Sequence, residues 1–336
     1  MRARVHARSE WPGRAPGAGL PPVEATQSRP LEPPPREFVV AAWTLFGLVV
    51  GSFLNVVIHR LPLEGESVWR PLRSRCPGCK RELTTWENIP LLSWLVLRGR
   101  CRTCRWPIPV RYPLVELSNA VLWGLAGALA PAWPLALIHA VVLSGLVVAS
   151  AVDFDRFEIP DQVSIGGMVL APIASFLVPE LQAQTWIARE LSGGGPVDRM
   201  GALLGSLAGV IVGGGVLLLI GRLGKLVFRR DAMGLGDVKL LAAGGGFAGP
   251  GAALMALFLG SLAASLVGAL NLARFLCLSR GRVRARKSAK PWSRSLASAR
   301  IAGRYLPFGP YLGLGIGIVL LDWKDVLGLV KELAFP

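Results

Sequence analysis

The chain has 336 residues, of which 52% are hydrophobic, and it carries a formal net charge of +16 with a mean hydropathy of +0.48. That balance is too apolar for an ordinary soluble domain, and the apolar residues fall in runs of helical length, without the period-two alternation of a membrane barrel. The basic residues gather in three polar segments, Arg60 to Arg111, Arg222 to Lys239 and Arg274 to Arg304, which is the pattern of cytoplasmic loops between spans and argues against a nucleic-acid partner.

In chain order, residues 1–36 are rich in Pro, Arg, Gly and Ala with no apolar centre, and read as a disordered tail, not as a cleaved signal peptide. A first transmembrane helix is expected over 37–58, and a polar domain over 59–113 holds four of the five cysteines. Apolar runs follow near 114–130, 134–152, 163–178, 199–221, 237–249, 251–276 and 308–321, with a tail from 322 to 336. Each of these runs is a candidate to cross a hydrocarbon core of about 30 Å. The stretch from 237 to 276 is long for one helix, and "FAGPGAA" (Phe247 to Ala253) is expected to break it.

The expected fold is therefore an all-α polytopic membrane protein with about eight transmembrane helices and a small cytoplasmic zinc-ribbon-like domain. Both termini then lie outside, and the three basic segments lie in the cytoplasm. Gly201, Gly205, Gly209 and Gly213, four apart, are expected to let helices approach closely in lipid. The polar stretch from Pro179 to Asp198 looks dispensable for a core, as does the basic loop from Ser279 to Lys290. Cys277, inside a span, is expected to be a core residue.

Two acidic stretches sit at span ends. "SAVDFDRFEIPDQVS" carries Asp153, Asp155, Glu158 and Asp161, and "AMGLGDVKLL" carries Asp237. Asp153 and Asp237 both fall at the cytoplasmic edge of their spans, so the two carboxyls can meet at one depth. A pair sharing one proton supplies a general base for water and an acid for a scissile carbonyl, as in aspartic proteases. The bland alternative is that these are headgroup-facing charges, Asp237 being paired with Lys239. Gly234 and Gly236 favour the functional reading, since they let backbone approach a substrate closely. Asp155 and Asp161 remain rivals of Asp153.

Cys76-x2-Cys79 and Cys101-x2-Cys104 form two hooks with 21 residues between them. In a reducing cytoplasm they stay thiols, and four thiolates from two hooks fit a tetrahedral structural zinc. A domain of about fifty residues buries too little core to stand without such a clamp.

Taken together, "GSFLNVVIHRLP", the paired cysteines, "NIPLLSWLVLRGRC", "RYPLVE" (Arg111 to Glu116), "DFDRFEIPD", "GLGDVK" and "LPFGPYLG" (Leu306 to Gly313) resemble the prepilin peptidase family of GxGD membrane aspartyl proteases. The resemblance runs in order from about Leu45 to Val319. It implies that Asp153 and Asp237 are the catalytic pair. It implies that the substrates are type 4 prepilins or type II secretion pseudopilins, whose leader is cut at the cytoplasmic face of a bacterial inner membrane. It also implies N-methylation of the new amino terminus with S-adenosylmethionine as donor. Gly99, Arg100 and the "TTWEN" stretch (Thr84 to Asn88) are candidates for the donor site on that resemblance. A peptidase without methylation, or a non-enzymatic zinc-ribbon scaffold in the lipid bilayer, is the alternative. The tail, the Pro179 to Asp198 insert and the loop after Ser279 depart from the family pattern without removing a motif residue.

Overall fold

The computed structural model describes residues 35–63, 65, 67–70, 73–229, 233–285 and 306–334. The expected N-terminal tail, up to residue 34, and the part of the expected basic loop from residue 286 lie outside the described residues. Ser279 to Ala285 continue the helix that begins at Pro250 and are not a loop. Each of the eight apolar runs is helical, and only isolated β-bridges occur among the described residues.

The helices are α1 (Arg36–Arg60), α2 (Leu92–Val96), α3 (Arg111–Leu129), α4 (Trp133–Arg156), α5 (Asp161–Leu177), α6 (Trp186–Leu191), α7 (Arg199–Phe228), α8 (Leu235–Ala248), α9 (Pro250–Ala285) and α10 (Gly309–Ala334). Four are long and apolar enough to cross a membrane: α1, α4, and the stretches Arg199–Val227 of α7 and Pro250–Arg274 of α9. Asp161–Leu177 and Gly309–Leu321 are shorter apolar helices. α10 continues to Ala334, through the stretch expected as a tail.

The long apolar stretch does break, at Gly249, whose φ of 90° ends α8 before Pro250 opens α9. A residue with a Cβ is strained at that φ, and one there would also meet the Thr185 hydroxyl at 2.4 Å. With 14 residues, α8 is about 21 Å long, too short to cross alone. It lies against α5, α7, α9 and α10, and Val238 and residues 240–247 are all buried.

The glycine stripe on α7 does what close packing requires. A Cβ on Gly209 would stand 1.9 Å from the Gly245 carbonyl oxygen of α8, and one on Gly213 would stand 2.6 Å from the Leu241 oxygen. Backbone therefore meets backbone along this seam. Higher on the same stripe, Gly205 faces Ala188 of α6.

That last contact corrects an expectation. The Pro179 to Asp198 stretch is part of the core, because α8 ends among buried residues and its last carbonyls need donors. Gln182, 0% exposed, donates from Nε2 to the carbonyls of Gly246 (2.9 Å) and Phe247 (3.3 Å). The Ser206 hydroxyl of α7 also donates to Gly246 (2.7 Å). Cys277, in turn, is exposed on α9, not a core residue.

A second polar seam ties α1, α3 and α4, and it too is internally satisfied. Asn119 donates to the Gly47 carbonyl (2.7 Å), Trp123 donates its indole N–H to Ser144 (2.9 Å), and Ser144 donates to Asn119 (2.8 Å).

Candidate active site and metal centre

α4 ends one turn past Asp153. Phe157, at φ 57°, donates its N–H to the Asp153 carbonyl (2.9 Å) as the left-handed cap. Ile159-Pro160 then holds the chain extended before α5 starts. Ile159 is buried and packs against the first turn of α8, where a Cβ on Gly236 would come within 3.1 Å of its own Cβ. The glycine thus lets α8 start against the end of α4. Asp237, in the first turn of α8, sits at the positive end of that helix dipole.

Asp153 and Asp237 line one cavity of ≈ 570 Å³, together with Glu158, Asp161, Lys239 and Pro62. Asp153 is buried, at 6% exposure. Its Oδ2 accepts the backbone N–H of Gly309 at 2.9 Å, at the start of α10. A Cβ at Gly309 would lie 2.6 Å from that same oxygen, so only glycine offers the N–H without a clash.

The rivals are occupied elsewhere. Asp155 is exposed and pairs with Arg111 of α3, which also donates to the Ala151 carbonyl (2.9 Å). Asp161 is exposed and pairs with Lys239. Lys239, expected as the partner of Asp237 on the bland reading, is therefore engaged by Asp161.

The four cysteines of the two hooks come together, their sulfurs all within 4.8 Å of one another. Cys76 and Cys101 are buried, Cys79 and Cys104 exposed. The hooks are built alike. Lys80 donates its N–H to the Cys76 carbonyl (2.9 Å) and Arg105 to the Cys101 carbonyl (3.1 Å), and both donors have positive φ (58° and 60°). Cys76 N–H returns to Arg81 and Cys101 N–H to Trp106. Backbone N–H groups of Cys104 and Thr103 aim at the Cys101 sulfur and hold its thiol down at about 6, a form ready to ligate. Four thiols this close suit a tetrahedral ion at about 2.3 Å from each sulfur. The donor set fits zinc.

Glu87 braces the same domain from inside. Arg81 grips it bidentately (2.7 and 3.1 Å), and the Thr84 N–H and hydroxyl donate to it at 2.9 and 2.7 Å. Arg81 first, then Thr84, holds the Glu87 carboxyl down at about 2.

The Thr84 to Asn88 stretch is thus a structural turn around a satisfied carboxylate, although Glu87 and Asn88 also border a second cavity. Gly99 is buried beneath the Trp94 indole, with φ 64°, and Arg100 is exposed. Neither lines that cavity. Arg111, Glu116 and Gly309 fall in the RYPLVE and LPFGPYLG motifs without the roles their contacts give them, and Gln182 falls in no motif. Glu116 had a signal, as a carboxylate heading an apolar run.

The bacterial peptidase A24 N-terminal domain matches residues 45–129, and the type IV leader peptidase family matches residues 140–269. The first match holds the four cysteines and the second holds both aspartates. The chain is similar to the prepilin leader peptidase/N-methyltransferase of Aeromonas hydrophila, at 36% identity over 84% of this chain and 89% of that protein. It is similar to the protein of the same description from Myxococcus xanthus, at 40% identity over 68% of this chain and 62% of that one. It also resembles the type 4 prepilin-like proteins leader peptide-processing enzyme of Escherichia coli O78:H11, at 36% identity over 62% and 76%. No solved structure matches.

Proposed function

The chain belongs to the type IV leader peptidase family and is an enzyme of that class, and we propose that it cuts the leader from type 4 prepilins or pseudopilins and N-methylates the new amino terminus. The observation that carries the cleavage reading is the shared cavity: Asp153 and Asp237 line it from two different helices, while Asp155 and Asp161 are held by cations.

Two carboxyls in one cavity share a single proton. The ionised one takes a proton from water as that water attacks the scissile carbonyl. The protonated one donates to the carbonyl oxygen. In the second half-step it takes a proton back from the resulting diol while its partner protonates the amide nitrogen, the C–N bond breaks, and a carboxylic acid and an amine separate. The Gly309 N–H fixes Oδ2 of Asp153 and leaves the other oxygen for water or substrate. Peptide backbone reaches the site past Gly234, where an added Cβ would stand 3.6 Å from Oδ2 of Asp237.

The cavity lies at the ends of α4 and α8, next to the basic stretch that closes α7, so the site faces the cytoplasm in a multi-pass inner-membrane protein. Cys76, Cys79, Cys101 and Cys104 would hold a structural zinc, which supplies cross-linking of two loops and no open coordination position. The domain it clamps, 59–113, serves methylation with S-adenosylmethionine, and 114–321 serves cleavage.

Mass spectrometry of a prepilin incubated with the solubilised protein and S-adenosylmethionine tests both parts. The expected product lacks the leader and carries one methyl group on its new amino terminus. Cleavage without the methyl group supports the narrower peptidase, and an untouched prepilin from the same organism rejects both activities.

A further inference from the structure

A second cavity, of ≈ 280 Å³, lies where the cysteine domain meets the ends of α1 and α3. Ser52 and Asn55 of α1, Tyr112 and Glu116 of α3, and the indoles of Trp94 and Trp106 line it. His59 and Arg60 face this cavity, whereas the next residues, Leu61 and Pro62, face the aspartate cavity. The two chambers therefore lie on either side of the end of α1, and an amino terminus freed in one is close to the other.

Glu116 is the unusual member of this wall. It is only 8% exposed, and its Oε2 accepts the N–H of Leu91 at 2.8 Å. Leu91 sits at φ 58°, ψ −50°, a conformation that costs free energy and persists only where its surroundings hold it. The Ser52 hydroxyl is a second, neutral partner of Glu116. Among the described residues Glu116 makes no ion pair, whereas Glu87, Asp155 and Asp161 each hold an arginine or lysine. Arg60, Arg75 and Arg102 also line this cavity, and a buried carboxyl with no ion pair either keeps its proton or takes a cation that arrives with a ligand. Aromatic faces beside it favour a cation further and offer a planar base a surface to stack on. The volume, ≈ 280 Å³, lies just below the range for small-molecule sites, about 300 to 1,000 Å³, so it admits the reacting ends of two ligands and not their whole length.

We propose that this cavity is the methyl-transfer chamber and that Glu116 is the counter-charge for the cation that reacts there, the donor's sulfonium or the acceptor's α-ammonium. The proposal rests on the N-methylation reading above. In the step itself, the ammonium first loses one proton to water at the cavity mouth. The nitrogen lone pair then attacks the methyl carbon and the N–C bond forms. The S–C electron pair returns to sulfur, which leaves as a neutral thioether, and the positive charge passes to the N-methylated amine.

The test is Glu116→Gln in the full-length solubilised protein, since glutamine's carbonyl still accepts the Leu91 N–H and only the charge is removed. One mixture, read by mass spectrometry, gives cleavage as the report on folding and methylation as the report on the chamber. The expected result is cleavage near the wild-type rate and methylation slowed about 100-fold, the scale for removing one partner of a buried charge pair. Titration with S-adenosylmethionine and with its neutral thioether product, S-adenosylhomocysteine, identifies the cation. Weakened binding of the first alone assigns Glu116 to the sulfonium. Unchanged binding of both, with a raised KM for a pre-cleaved amino-terminal peptide, assigns it to the ammonium. Wild-type methylation in Glu116→Gln overturns the proposal, and so does an equal loss of cleavage and methylation, which marks a structural role. If the unmutated protein cleaves but never methylates, the methylation reading fails first, independently of Glu116.

Discussion

The cysteine domain and the aspartate cavity each bury a carboxylate, and their treatment differs. Glu87 has both oxygens committed to Arg81 and Thr84. Asp153, just as buried, takes one neutral N–H from Gly309 and faces a second carboxyl across a cavity large enough for water and a peptide. Full satisfaction makes Glu87 a brace. Partial satisfaction leaves Asp153 with one oxygen that accepts no hydrogen bond from the described residues, and the fold maintains that cost by anchoring the ends of α4, α8 and α10 around it. Of the neighbouring carboxylates, Asp161 at the cavity's rim is paired with Lys239 and Asp155, outside it, with Arg111, while Glu158 also borders the cavity.

Removing the zinc proposed for the four cysteines should break the braced region most severely. Zinc binding to such hooks carries about 10–16 kcal/mol of folding free energy, so a strong chelator, or Cys101→Ser, unfolds the cysteine domain. Metal analysis should give one zinc per chain, and tryptophan fluorescence should report the loss through Trp94 and Trp106. Gly309→Ala is the sharpest cut at the other region. Its Cβ would displace Asp153 Oδ2, and a shift of about 1 Å at a reacting group costs about 100-fold in rate. Cleavage assays should show that loss with thermal stability little changed.

Smaller effects follow. Gln182→Leu leaves the Phe247 carbonyl without its side-chain donor, since Ser206 reaches only Gly246. That costs about 1–3 kcal/mol, read as a lowered Tm in detergent. Glu87→Gln is the mildest. Because the folded carboxyl is held at about 2 against an ordinary 4.5, the ion pair's contribution is fully present above pH 4.5 and is lost as pH falls towards 2. The stability gap between wild type and Glu87→Gln, followed by fluorescence during acid titration, should close over that window.

The parts legible in the sequence were those set by local pattern. Apolar runs gave the eight helices, Gly249-Pro250 gave the break after α8, and the paired hooks gave a cluster whose sulfurs do converge. Asp153 and Asp237 could be brought to one edge by counting spans, and they line one cavity. Span number was less legible. Four helices carry the length and hydropathy to cross alone, and the others, such as α8, gain their place from neighbours instead. The Pro179 to Asp198 insert was misread because its polar residues look like surface until the buried end carbonyls of α8, more than sixty residues away, give Gln182 its use. Gly99 and Arg100 belong to a knuckle's backbone, and the cavity wall is drawn from α1, α2 and α3, whose convergence no single stretch announces.

The most direct measurement is the rate of leader cleavage by Asp153→Asn, Asp237→Asn and the double variant, each purified and checked for its zinc content and Tm. The account predicts that either single change lowers cleavage by about 10²–10⁴-fold, and that the double variant is no worse than the singles because the two carboxyls work as one unit. Cleavage within threefold of wild type in either single variant would contradict it.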